Sequence, residues 1–235
     1  METTPTPYGT PDAPRLAVRG EAHLEVDPEI ARIGVTVSAR GTDRRDALND
    51  LTRRNATALD LVKSYGDAVE RIETGAFSVT PELTRQGRTE RVRAYHGRVH
   101  ITVELTDFTA LGELTTRVAD LDLTRVDGPW WSLRLDSPVH REARQQAVRE
   151  AVQRAREYAQ ALGTGLASLV ELADIGAESA PAYGYGGPAG GMRAASYGGA
   201  PDLGDAPPLD LEPQRQHVYA TVNARFTMTP PDLGA

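Results

Sequence analysis

Alanine stands at every fourth position from 143 to 159 (Ala143, Ala147, Ala151, Ala155 and Ala159) inside the charged run "DSPVHREARQQAVREAVQRAREYAQALG". A four-residue apolar repeat follows the helical period and cannot serve a strand, whose side chains change face at every residue. A face made of methyl groups lets the helix sit close to its neighbour. Ser137 and Pro138 open this helix, with Pro at the first position where a missing N–H costs nothing, and Gly163 stops it.

The remaining pattern is strand-rich. Leu16, Val18, Gly20, Ala22, Leu24 and Val26 share one parity, against Arg15, Arg19, Glu21, His23 and Glu25 on the other, which predicts a half-buried strand. "VDPE" at 26–29 is turn chemistry before Ile33, Val35 and Val37 resume the alternation, so these two strands are expected to form a hairpin. Thr42 or Asp43 caps a helix carrying Leu48, Leu51, Leu59 and Val62, with Gly66 at its end. A second strand pair, joined by "RQGRTE", turns Val99, Ile101, Val103 and Leu105 inward. Asp107 caps "FTALGELTTRVADL", and "RVDGPWWSLRL" is a strand with Trp131, Leu133 and Leu135 on one face and Trp130 on the other. "LASLVELAD" and "HVYATVNARFTM" supply the last strands, the latter with Val218, Ala220, Val222, Ala224, Phe226 and Met228 facing in.

The expected fold is therefore α+β: antiparallel sheets with three helices in the order ββαββαβαββ, arranged as two packed lobes. Residues 1–14 read as a disordered lead, 15–229 as the domain, 176–211 as a Gly/Pro/Tyr-rich loop within it and 230–235 as a short tail.

Composition excludes several classes. Thirty-three acidic against 26 basic residues, net −7, argue against wholesale binding of nucleic acid or anionic membrane. With no cysteine there is no disulfide, thiolate nucleophile or Cys-based metal site. No apolar run approaches the roughly 18 to 20 residues of a membrane helix. "METTPTPYGTPDAP" has neither a positive start nor an apolar stretch, so a cytoplasmic location is expected for the sequence as it stands.

Taken in order, "VRGEAHLEVDPEIA", "IETGAFSVTPEL" with Thr74 and Pro81, "YHGRVHITVELTDFTALGEL" with Tyr95, Asp107 and Gly112, the alanine helix, and "LEPQRQHVYATVNARF" make the chain resemble the SIMPL domain family over about residues 15 to 229. The resemblance implies an α+β protein of poorly defined biochemistry, with no active site to carry over. It also implies kinship with bacterial envelope proteins that form large homo-oligomeric rings and are linked to stress tolerance, and with an animal signalling partner of a kinase. A periplasmic location is the alternative it raises, reached through a true start upstream.

The residues themselves support no catalytic, cofactor or metal set. "GYGGPA" at 184–189 fits G-x-G-x-x-A, but Pro188 and more glycines follow where a phosphate-binding helix would have to begin. The run reads as a flexible connector, or as an assembly element using Tyr183, Tyr185, Met192 and Tyr197 as contact groups. His96, His100 and Glu104 share a parity, yet positions four apart on a strand lie roughly 13 Å apart, too far for one ion. His23 and His217 lie on outward faces, where a cross-strand pair is open and solvated rings are the plainer reading. Ser137 with His140, Asp43 with Asp46 and Glu150 with Glu157 read as capping and polar-face groups.

Three features point to contacts with other molecules. Arg85, Arg88, Arg91, Arg93 and Arg98 crowd one hairpin among glutamates, as a solvated, ion-paired face in which Arg91 and Arg93 are candidate contacts. Trp130 is either covered by its own chain or part of an interface. Asn55, near the apolar stripe of its helix, is either a satisfied semi-buried group or a packing contact. The expected function is non-enzymatic: a self-assembling, stress-associated scaffold working through its oligomer interface. An adaptor binding another protein through the 176–211 loop is the alternative, and a ligand carrier or enzyme with a cleft between lobes the weaker one.

Overall fold

The structure, a computed structural model, describes residues 9–86, 89–174 and 207–233, with side chains described outside 85–90. Its elements are β1 (Arg15–Val26), β2 (Ile30–Gly41), α1 (Arg44–Lys63), β3 (Val69–Gln86), β4 (Thr89–Leu105), α2 (Phe108–Ala119), β5 (Thr124–Ser132), α3 (Pro138–Ala161), β6 (Leu166–Asp174) and β7 (Gln216–Met228). This is the predicted α+β order. The strands form two sheets, β1-β7-β6 and β3-β4-β2-β5. The chain divides into two compact units: residues 1–26, 135–197 and 217–235 make the first, and 27–134 with 198–216 the second.

In the first unit β1 and β7 run antiparallel, since the Met228 N–H donates to the Pro14 carbonyl at one end and the His23 and His217 rings meet at the other. Val18, Ala22, Val222, Ala224 and Phe226 pack in one cluster with Ala147, Ala151 and Ala155 of α3, and all five alanines of its stripe are buried. The approach is very close. A Cβ on Gly20 would lie 2.0 Å from the Ala147 carbonyl oxygen and 2.6 Å from the Ala151 Cβ, so β1 must present bare backbone there. The helix also closes the free edge of β1: Glu150 accepts from the Glu21 N–H (3.2 Å), and Arg154, paired with Glu150 at 2.6 Å, donates to the Arg19 carbonyl (2.8 Å). Glu150 is thus more than a solvated polar-face group. Helical period reveals a polar face but not the backbone groups it meets.

β1 and β2 do not form the expected hairpin; they enter different sheets, and β2 lies between β4 and β5. Alternation identifies a strand without choosing its partner, and β2 is buried on more than alternate positions, as a central strand is.

In the second unit Ile33, Val35 and Val37 pack with Val99, Ile101, Val103 and Leu105 under Leu51, Ala58 and Val62 of α1 and Leu111, Leu114 and Val118 of α2. Both helices start as expected. The Asp43 carboxylate accepts from the Arg45 and Asp46 N–H groups (2.8 and 2.9 Å), and the Asp107 carboxylate from those of Thr109 and Ala110 (2.9 and 3.1 Å). The bond from the Asp46 amide is the main cause holding the Asp43 carboxyl below its ordinary range. Leu48 is exposed, and Ala47 takes its place on the buried side. β5 ends at Ser132, leaving Leu135 fully exposed and not on the strand face expected for it.

β6 and β7 pair antiparallel from Asp174↔Val222, so a short turn would suffice to join them. The chain instead runs through residues 175–215. Its described end crosses α2, where the Leu209 N–H donates to the Thr116 hydroxyl (3.1 Å) and Leu211 joins the apolar core.

Candidate interaction surface

The pairing of β2 with β4 ends at Gly41↔Tyr95, but β3 and β4 continue to pair from Glu82↔Ala94 out to Gln86↔Thr89. Residues 82–86 and 89–94 are therefore a two-stranded ribbon beyond the sheet. Four of the six residues of the predicted "RQGRTE" loop, Arg85, Gln86, Thr89 and Glu90, are strand, because the two edges stay paired out to Gln86↔Thr89. A two-stranded ribbon in water has little stability of its own. The register steps at Glu82/Leu83, which makes Arg93 the extra residue of β4 and brings Leu83 opposite Val92. This cross-strand pair is 53% and 47% exposed, and Arg91 and Arg93 beside it are exposed too.

The base of the ribbon is an ion-paired cluster. Glu82 accepts from His96 (2.8 Å) and Arg40 (2.9 Å), with Arg93 at 3.7 Å. The hydrogen bond from His96, followed by that from Arg40, holds the Glu82 carboxyl below the ordinary range. The face predicted as ion-paired is so for Arg93; the side chains of Arg85 and Arg88 lie outside the described residues.

Trp130 and Trp131 diverge as the alternation requires. Trp131 packs edge-on against Phe108 at 4.8 Å, on the side of the core. Trp130 stands opposite Arg32 on the other face. A Cβ on Gly34 would meet His100 Cε1 at 2.8 Å and the Trp130 ring at 3.4 Å, so the two rings close over a glycine floor. Thr36 bonds the His100 ring at 3.2 Å, and Arg32 donates to Glu104 at 3.0 Å, which anchors the groups around the indole. Trp130 itself remains 52% exposed. Its own sheet supports it without covering it.

Other sequence candidates distribute as follows. Tyr183, Tyr185, Met192 and Tyr197 lie outside the described residues. Ser137 is the buried cap of α3, accepting from the Val139 N–H at 3.3 Å. The Asn55 side-chain oxygen is buried with no hydrogen-bond partner among the described residues, so of its two readings, a satisfied semi-buried group or a packing contact, the first is not met by this oxygen. The open cross-strand option for His23 and His217 is realised, with ring nitrogens 2.9 Å apart. A hollow of about 470 Å³ beside the start of α2 is lined by Phe108, Thr109 and residues 208–213, with Asp210 and Glu212 as its carboxylates. The Leu83–Val92 pair was missed in the sequence; two isolated apolar residues flanking a charged turn were the signal.

A family model described as "SIMPL: Protein of unknown function (DUF541)" matches residues 16–226. The chain belongs to the SIMPL family. Two "26 kDa periplasmic immunogenic proteins", from Brucella melitensis and Brucella abortus, are each 24% identical to this SIMPL chain over 168 residues, covering 68% of it and 66% of each relative. The "uncharacterized protein YggE" of Edwardsiella ictaluri is 23% identical over 158 residues, 66% of each chain. The SIMPL chain thus spans 66% of the length of these curated relatives. A solved structure from Burkholderia cenocepacia aligns at a TM-score of 0.23 with 20% identity, over 57% of this chain and 33% of that one. Among the described residues no helix is long and apolar enough to cross a membrane.

Proposed function

We propose that this SIMPL protein is a non-enzymatic protein of the bacterial envelope that associates with copies of itself. The observation that carries the reading is the β3–β4 ribbon: a two-stranded extension, weak on its own, that offers a half-exposed Leu83–Val92 pair and the exposed Arg91 and Arg93 to a partner. Trp130 adds a large ring whose conformation is already restrained by Gly34 and His100, so little entropy is lost when it is covered. The word "periplasmic" in the names of two relatives supports an envelope location over the cytoplasmic one expected from the sequence. The perturbed carboxylates favour structure over catalysis, since Asp43 is explained by its cap, Asp50 by Arg54 and Arg53, and Glu82 by His96 and Arg40.

Light scattering on size-exclusion eluate tests this with the full chain and with a Leu83→Asp, Val92→Asp double variant. The expected result is a wild-type mass several-fold above 25.4 kDa, falling to the monomer in the variant while its circular dichroism stays unchanged. A wild-type protein that stays monomeric across micromolar concentrations would overturn self-association and leave a different protein as the ribbon's partner.

A further inference from the structure

The pair formed by His23 and His217 has a use that capping, packing and self-association leave unexplained. The two residues are 194 positions apart in the chain, on β1 and β7, and His23 Nε2 lies 2.9 Å from His217 Nδ1. Their ring centroids are 5.1 Å apart with an interplanar angle of 28°. An imidazole nitrogen lies about 1.1 Å from its ring centroid, so these values mean that the rings meet edge to edge and do not overlap. One nitrogen supplies an N–H and the other a lone pair. The Tyr219 ring lies parallel over the face of His23, at 4.5 Å and 3°, which holds the His23 plane, and its centroid is 6.5 Å from that of His217.

We propose that His23 and His217 together bind one divalent late-transition-metal ion of the imidazole-preferring class, copper, nickel or zinc, and that the ion ties β1 to β7. Two nitrogens bound to one metal at about 2.0–2.1 Å are about 2.9 Å apart at the right angles of square-planar copper or nickel, the separation present here, and about 3.3 Å apart at zinc's tetrahedral angle. In the hydrogen-bonded pair the two nitrogens face each other directly, so each ring would turn by about 35° to 45° to point its lone pair at a common ion, a motion that the exposure of both side chains leaves room for. The hydrogen-bonding proton moves to the other nitrogen of its own ring, so two neutral imidazoles coordinate without net proton release. All three residues are exposed, leaving room for waters to complete the coordination. No group of three or more His, Cys, Asp or Glu able to hold an ion occurs among the described residues, so the site is a two-ligand one and its affinity modest.

The other histidines are poorer candidates. His96 is engaged with Glu82, beside the cations Arg40 and Arg93; His100 is bonded to Thr36; and His140 lines a hollow with Arg144 and Asp174 but has no second histidine there. An ion at His23 and His217 would also tie together residues 194 positions apart and stabilise the folded form by mass action.

The test is calorimetric titration of Ni²⁺, and separately Zn²⁺, as simple salts into the full chain, with histidine side-chain NMR and thermal melts alongside. The expected result is one ion per chain, with the His23 and His217 resonances responding first and Tm rising. His23→Gln and His217→Gln should each weaken binding by about tenfold or more, and His96→Gln should leave it unchanged. No binding below millimolar metal, unchanged affinity in both Gln variants, or a first response at His96 or His140 overturns the proposal. Its failure would leave the self-association reading standing, since the ribbon takes no part in it.

Discussion

The two units solve the same problem, a helix layer on an antiparallel sheet, with opposite side-chain sizes. The first packs α3 on β1 through alanine methyls and the bare backbone of Gly20. The second fills its interior with Ile33, Val35, Ile101, Leu105, Leu111 and Leu114. In the first, contact is made by closeness, so there is no room for added volume. In the second it is made by side chains, so removing volume leaves a hole.

That contrast predicts an order of effects. Gly20→Val should be the most damaging change, because its Cβ would meet the Ala147 carbonyl oxygen at 2.0 Å, and backbone cannot step aside as a side chain can. A cost above about 4 kcal/mol is expected in urea unfolding, with hydrogen-exchange protection lost first in α3 and β1. A cost below about 1 kcal/mol would mean that the close approach is not a fixed feature of the first unit. Leu114→Ala in the second unit should cost about 3 kcal/mol by leaving a cavity under α2, and refilling with Met should recover most of it.

The smallest effect concerns the ion-paired base of the ribbon. Since the Glu82 carboxyl is held below its ordinary range, chiefly by the His96 hydrogen bond and then by Arg40, its contribution is present above that range and is lost as pH falls through the lowered value. In His96→Gln its titration, followed by carboxyl NMR, should move up toward the ordinary glutamate range. An unchanged midpoint would assign the depression to Arg40 and Arg93 alone.

Much of this was legible before the structure. The alanine stripe and the parities of β4 and β7 named their buried residues, and Ser137 and Asp107 marked helix starts where they stand. The candidate surface was legible only in part. Trp130 followed from its adjacency to Trp131, and Arg91 and Arg93 from charge density, whereas the Leu83–Val92 pair depends on how far β3 and β4 remain paired. Pairing length is decided by backbone partners, and these leave little trace in side-chain periodicity.

What the sequence alone determined is the list of elements and the face each one buries, because helix and strand periods are set by local backbone geometry and apolar residues must leave water. What the tertiary structure decided is partnership: β1 with β7 and not β2, Glu150 on the edge of β1, and His23 beside His217. Every strand offers the same N–H and C=O groups to any neighbour, so the choice among partners falls to how whole faces pack, and that is settled only when the chain has closed.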